Sequence, residues 1–240
     1  MIEKLDWDTV FFEKRIGKLV IDNENFDPIA FKREADQNFD LVYVISYDKM
    51  LPYDSVFSGN LDLVDIMVTM SIPFDRDLFK DREYSFRRSV SSEEIKECYE
   101  IAEQTSIVSR FCDEEMIGHE KTKKLYRKWI DNAFNNSFSD GMFLVKESNL
   151  IKGLHLIKVD AENKIGYFTL TGVDPNCKKS GFGRKLWEQS FGYFANETNI
   201  DIIKSPFSQR NRGSFNFHLK MGFNKIEEIK YIYHFRNTNK

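Results

Sequence analysis

The sequence predicts an α+β fold, a mixed sheet with helices on its faces. Three features point there. The apolar runs at residues 41–45 and 63–70 have the length of strands rather than of helices. Later stretches show helical apolar spacing with capping residues at their starts. Near the end Ile229, Tyr231, Tyr233 and Phe235 alternate with other residues, as a half-buried strand requires. The chain has 240 residues, 41% hydrophobic and 30% charged, which is ample for a buried core and excludes a disordered chain. With 22 Phe and 10 Tyr, much of that core should be aromatic. Lys plus Arg number 35 against 38 Asp plus Glu, a net charge of −3. That balance argues against general nucleic-acid binding but leaves room for a local basic site.

The elements follow in order. A strand is expected over 18–21 and a helix over 28–37, opening with Pro28 near its first turn. The fully apolar 41–45 reads as a buried strand, and 63–70 as another. Residues 72–82 hold Pro73 and alternating charges and read as a linker. It would divide a smaller N-terminal α/β domain, 1–82, from a second domain, 83–240. A strand at 84–88 follows, then a helix capped by Ser91 or Ser92 with Glu93 and Glu94 in its first turn. The next helix runs over 115–135, with Tyr126, Trp129 and Ala133 on one face. Strands are expected at 142–146, 153–159 and 165–173, a helix with the stripe Trp187, Phe191 and Phe194 up to 196, a short strand at 200–204, a helix at 212–221 and final strand material at 223–235.

The strongest chemical signal is the loop Lys178-Lys179-Ser180-Gly181-Phe182-Gly183-Arg184 between a strand end and an amphipathic helix. Helix-start N–H groups lack intrahelical partners, and the dipole favours anions there. The two glycines let a ligand approach the backbone, and Lys178, Lys179, Arg184 and Lys185 add charge. A Walker loop is excluded, since no Gly-Lys-Ser or Gly-Lys-Thr occurs here. A dinucleotide fingerprint fails at Leu186, where a third glycine or alanine is needed. The pattern Q/R-x-x-G-x-G/A remains, with Lys178 in place of Gln or Arg. Its plain alternative is a glycine turn with solvated lysines. One strand later comes Asn211-Arg212-Gly213-Ser214-Phe215-Asn216-Phe217-His218-Leu219-Lys220-Met221-Gly222-Phe223. Asn211, Ser214 and His218 share a helix face, Phe215 and Leu219 are expected to pack underneath, and Gly222 to stop the helix.

Loop and helix together resemble the GNAT superfamily of N-acetyltransferases, over residues 84–240. The resemblance implies the GNAT fold, a mixed and mostly antiparallel sheet flanked by helices, and transfer of an acyl group from acetyl-CoA or another short acyl-CoA to an amine without a covalent intermediate. It implies that residues 178–184 and Asn211 bind CoA, that backbone groups of Thr171 and Val173 meet the pantetheine, and that a backbone N–H near 171–173 stabilises the oxyanion. The family's usual tyrosine acid is replaced by His218. That imidazole is either the acid for the departing thiolate or a group that positions CoA. Asn211 also fits a simple helix N-cap.

Looser stretches resemble N-acyltransferases of dTDP-linked amino-dideoxy sugars, of the dTDP-fucosamine acetyltransferase type. They are Leu5-Asp6-Trp7-Asp8 with Phe11-Phe12, Leu63-Val64-Asp65, Ser109-Arg110-Phe111, and Tyr126, Trp129, Ile130 and Asn132. A dTDP-amino sugar acceptor, a role in surface polysaccharide synthesis and a homodimer are what this likeness implies, with hydroxybutanoyl an alternative to acetyl. Asp65, charged within an apolar strand, is either the base or half of a salt bridge. Arg110 either grips a substrate diphosphate or anchors its connection. Other amines, a protein N-terminus, or a non-catalytic CoA-binding module are the competing functions.

No metal site is expected, since His119, His155 and His234 are scattered. Cys98, Cys112 and Cys177 show no CxxC spacing. An acidic start without an apolar signal region, and no run long enough to span a bilayer, lead us to expect a cytoplasmic protein without a membrane partner.

Overall fold

The structure is a computed structural model that describes residues 1–21, 26–51, 60–134, 138–177 and 179–237. Its elements are β1 (Glu3–Lys4), α1 (Asp6–Phe12), β2 (Ile16–Ile21), α2 (Pro28–Asn38), β3 (Leu41–Tyr47), β4 (Leu61–Pro73), β5 (Phe86–Arg87), α3 (Ser92–Thr105), α4 (Gly118–Ala133), β6 (Gly141–Glu147), β7 (Leu150–Asp160), β8 (Ile165–Val173), α5 (Phe182–Glu197), β9 (Ile202–Ser208), α6 (Arg212–Lys220) and β10 (Lys225–Arg236). The fold is α+β, as expected. The strands form one ten-stranded sheet in the order β1-β2-β3-β10-β4-β9-β8-β7-β6-β5. All neighbours are antiparallel except β2–β3 and β8–β9.

Local chemistry explains most boundaries. Asp27 caps α2, accepting from Ile29 N and Ala30 N, and Pro28 sits in the first turn. A capping box joins Ser91 and Glu94 at the start of α3. Gly222, at φ 93°, lets the chain leave α6. α3 and α4 cover one face of the sheet around Leu154 and Leu156. α5 covers the other with Trp187, Phe191 and Phe194 packed on Phe168 and Ile203.

The structure departs from the sequence reading at several points. β10 is the final strand, as expected, but only its first half is half-buried. It lies between β3 and β4, and Ile232, Tyr233, His234 and Phe235 are all buried: α2 packs on Tyr233 and Phe235, and Phe111 and Glu114 of the α3–α4 connection lie against His234 on the other face. β4 continues to Pro73, paired with Ile202, into the stretch read as a linker. A proline fits there because it ends the strand. The strand expected at 84–88 shortens to Phe86–Arg87. α1 was not foreseen, and its seven residues are too few for helical spacing to be legible. Beneath α6 lie Phe217 and His218, not Phe215 and Leu219, which are 38% and 47% exposed.

Candidate functional site

Strands β8 and β9 separate. Their pairing covers only Ile165↔Ile202, Gly166↔Ile203 and Tyr167↔Lys204, yet β8 continues to Val173 and β9 to Ser208. A register shift against β7, between Leu156 and Ile157, leaves Thr169 as an extra residue on β8 just past the last pair. From there to Val173 the β8 backbone has no partner strand on its β9 side among the described residues. Thr171 turns its side chain into the core, where Oγ1 is 2.8 Å from His155 Nδ1 and accepts from Trp187 Nε1 at 3.2 Å. Only its backbone is left for a ligand. Val173 ends the strand opposite Gly153.

The glycine loop follows. Lys178 lies outside the described residues. Lys179 and Gly181 have positive φ, 69° and 88°. Gly181 occupies the N-cap of α5, so no side chain caps the helix, and the space over its Cα is open to 4 Å. Ser180 Oγ stands 3.5 Å from Phe182 N. Lys179 and Arg184 are exposed and have no ion-pair partner among the described residues. Uncapped N–H groups, a bare backbone and unpaired cations fit the diphosphate of a CoA ester. Phe182 is half-buried against the core, and Gly183 faces the Phe217 ring.

α6 joins this loop to a second site. Asn211 caps it, its side chain accepting from Ser214 N at 3.0 Å. His218 is buried between Trp187, Phe207 and Phe223. Its Nδ1 lies 2.7 Å from Ser214 O, and its Nε2 2.7 Å from Ser205 Oγ. A carbonyl only accepts, so Nδ1 carries the hydrogen and Nε2 accepts from Ser205. Burial lowers the pKa to about 4 against the bond to Ser214, so the imidazole is neutral. Both nitrogens are engaged, an arrangement suited to positioning, the second of the two roles that the sequence left open, more than to the acid role.

On the far side of α6 opens a cleft of about 1230 Å³, walled by Arg212, Phe215 and Asn216, by β4 and β10, and by the α3–α4 connection. Asp65 and Arg110, singled out in the sequence, both line it. Asp65 is buried and accepts from Ser208 Oγ at 2.6 Å. Arg110 sits over the Phe111 ring at 4.2 Å; burial lowers its pKa, against the nearby Asp65 and Asp8. Asp8, in the Leu5–Phe12 stretch, has its own pKa raised by burial, with Arg110 opposing. Arg210 is tied to Asp113. Arg236 is tied to Asp62 and to Glu114, the latter at 3.0 Å. Arg212 has no ion-pair partner among the described residues. The sequence reading missed Arg212, though it stands beside Asn211. Glu114 and Arg236 carry no local signal, being 122 residues apart.

Residues 93–223 match the acetyltransferase (GNAT) family model, more than half of the chain. The chain belongs to the acetyltransferase (GNAT) family. It is therefore an acyl-CoA-dependent N-acetyltransferase, and the divided β8–β9 pair and the loop at α5 both lie within the matched residues. Among curated proteins none matches the chain. The fold is similar to that of a functionally unknown conserved protein from Staphylococcus epidermidis, with TM-score 0.60 and 10% identity over 92% of this chain and 84% of that one. A GCN5-related N-acetyltransferase from Kribbella flavida aligns with TM-score 0.50 and 12% identity over 92% of this chain and 81% of that one. Another from Sphaerobacter thermophilus gives 0.50 and 15%, over 82% and 60%. At such identities the likeness concerns fold alone. Among the described residues no helix is long and apolar enough to cross a membrane, and no group of three or more His, Cys, Asp or Glu side chains is placed to hold a metal.

Proposed function

We propose that this GNAT enzyme acylates the amine of a dTDP-linked amino-dideoxy sugar, using acetyl-CoA or another short acyl-CoA such as the hydroxybutanoyl ester. The observation that carries this reading is the cleft across α6 from the glycine loop. Its volume of about 1230 Å³ exceeds the usual range for small-molecule pockets and suits an acceptor as large as a nucleotide sugar. Arg212, free of ion pairs among the described residues, suits a diphosphate at its rim. In this reading residues 1–82 supply one wall of the acceptor site, through Met50 and β4, and residues 83–240 carry the acyl-CoA site.

The chemistry follows from the positions. The CoA diphosphate rests on the N–H groups of residues 181–184, and the pantetheine runs along the open edge of β8 through Thr171 and Val173. A backbone N–H of that edge takes the oxyanion. The thioester is already activated, so the enzyme's task is to bring an unprotonated amine against the carbonyl. Asp65, held by Ser208, receives the amine proton. His218 holds α6 to β9 and keeps the gap open. The thiolate leaves without a proton from the imidazole and takes one from water. We place the enzyme in the cytoplasm, where the free thiols of Cys98, Cys112 and Cys177 persist. Its product would feed surface polysaccharide synthesis.

The test is thiol release from acetyl-CoA with a panel of amines: dTDP-4-amino-4,6-dideoxyglucose, spermidine, an aminoglycoside and a peptide with a free N-terminus. This reading expects the nucleotide sugar to show the highest kcat/KM by at least about a hundredfold. A preference for any of the others overturns it.

A further inference from the structure

Three buried polar atoms without a hydrogen-bond partner among the described residues belong to neighbouring side chains, Tyr43 Oη, Arg110 Nε and His234 Nε2, of which Arg110 lines the cleft and the other two lie deeper. Tyr43 and His234 are register partners on β3 and β10, with ring centroids 5.1 Å apart. Asp65 lies two positions along the same face, since its partner on β10 is Ile232. Arg110 reaches over this face from the α3–α4 connection, its guanidinium 6.0 Å from the Tyr43 ring, and it also lines the cleft. A native fold seldom leaves one such atom unpaired, and here three face one neighbourhood.

The protonation pattern states what would satisfy them. His234 Nδ1 is 2.5 Å from Glu114 Oε2. Burial works against the charge on Glu114, but the bonds from His234 and Arg236 outweigh it and hold its pKa down to about 2. A carboxylate only accepts, so His234 Nδ1 carries the hydrogen. Burial also lowers the pKa of His234, so Nε2 bears a lone pair and needs a donor. Arg110 Nε needs an acceptor, and the Tyr43 hydroxyl serves either way. A phosphate or carboxylate offers acceptors only, would leave His234 unsatisfied, and would meet Asp65 and Glu114 close by. A hydroxyl donates and accepts at once.

We propose that Tyr43, Arg110 and His234 form a subsite that binds a hydroxyl group of the acceptor, on the sugar ring or on the nucleoside. This rests on the reading that the cleft takes a nucleotide-linked amino sugar. It adds Tyr43 and His234 to the binding residues and gives β3 and β10 a part in acceptor choice.

The experiment is steady-state thiol release by the wild type, Tyr43→Phe and Arg110→Lys, with dTDP-4-amino-4,6-dideoxyglucose and acetyl-CoA varied in turn, and with dTDP and inorganic pyrophosphate as competing inhibitors. The expected result is an acceptor KM raised about tenfold in both variants, with the acetyl-CoA KM and the pyrophosphate Ki unchanged. A dTDP Ki that rises in parallel assigns the hydroxyl to the nucleoside; an unchanged one assigns it to the sugar. Both support the subsite. Thermal melting accompanies each variant, and Arg110→Lys decides if Tyr43→Phe is unfolded. An acceptor KM within about twofold of the wild type in folded variants overturns the subsite while leaving the sugar-nucleotide reading intact. So does a pyrophosphate Ki that rises tenfold, which would mark an anion site. A wild type that acylates other amines but not the nucleotide sugar removes both.

Discussion

His218 Nε2 lies 2.7 Å from Ser205 Oγ, and Ser205 is the first β9 residue beyond the last one paired with β8. The bond ties α6 to the point where the two strands part. Burial of the same imidazole sets its contribution to stability in acid. The folded pKa of His218 is lowered to about 4, while the unfolded group titrates near 6.5. Above pH 6.5 both states are neutral and the contribution is complete. Between 6.5 and 4 only the unfolded chain takes up the proton, so stability falls with pH, by on the order of 3 kcal/mol from this group. Urea unfolding between pH 7 and 4 should show that loss, reduced in His218→Asn. The pH profile of kcat should lack a limb near 6.5, which an imidazole acid would impose.

The two loop glycines should respond differently to alanine. Gly181 needs its positive φ, so Gly181→Ala costs about 1–2 kcal/mol of stability. At Gly183 a Cβ would meet the Phe217 ring at an ordinary 3.5 Å. Gly183→Ala should therefore melt no lower than the wild type, since alanine favours a helix. Calorimetry should find its CoA affinity within about threefold of the wild type, because the loop pattern admits alanine here, whereas Gly181→Ala places its methyl in open space beside the first-turn N–H groups and should weaken CoA about tenfold.

Arg212→Ala should raise the KM of the nucleotide sugar by about ten- to a hundredfold with little effect on that of acetyl-CoA, as loss of a charge-assisted hydrogen bond predicts. The difference should shrink at high salt. Steady-state kinetics at two ionic strengths checks both statements.

Asp65→Asn keeps an acceptor for Ser208 but removes the proton-accepting carboxylate. We expect kcat to fall by about 10²–10⁴ with a near-normal melting temperature. A loss confined to stability would return Asp65 to a structural role.

Glu114 is 1% exposed and is held by His234 and Arg236. Its folded pKa of about 2 lies below its ordinary 4.5, so its contribution is present above 4.5 and fades as pH falls toward 2. Glu114→Gln leaves Arg236 short of a buried partner and should cost about 3–5 kcal/mol in urea unfolding at pH 7.

Local signals were the legible ones. The Ser91–Glu94 box, Pro28, the Gly222 stop and the Trp187–Phe191–Phe194 stripe each depend on neighbours within a few residues, and each is found where the sequence reading puts it. So are the glycine loop and the Asn211 cap. The long-range features were not legible. Nothing in residues 223–235 says that this strand runs between β3 and β4 rather than along an edge. Tyr43 is hidden in an apolar run, and only its pairing with His234 across the sheet reveals a polar cluster. Phe215 and Leu219 misled because spacing of four shows that two residues share a face, not which face the core takes. The N-terminal stretch around Asp8 and the Ser109–Phe111 stretch converge on one cluster: Phe12, Tyr43 and Phe111 pack together there.

The most direct measurement is a structure of the protein crystallised with CoA. The account predicts the diphosphate oxygens within about 3.0 Å of backbone N–H groups of residues 181–184, with the pantetheine between β8 and β9 and its sulfur toward the Asp65 cleft. A CoA molecule bound elsewhere, with those N–H groups facing solvent, would contradict it.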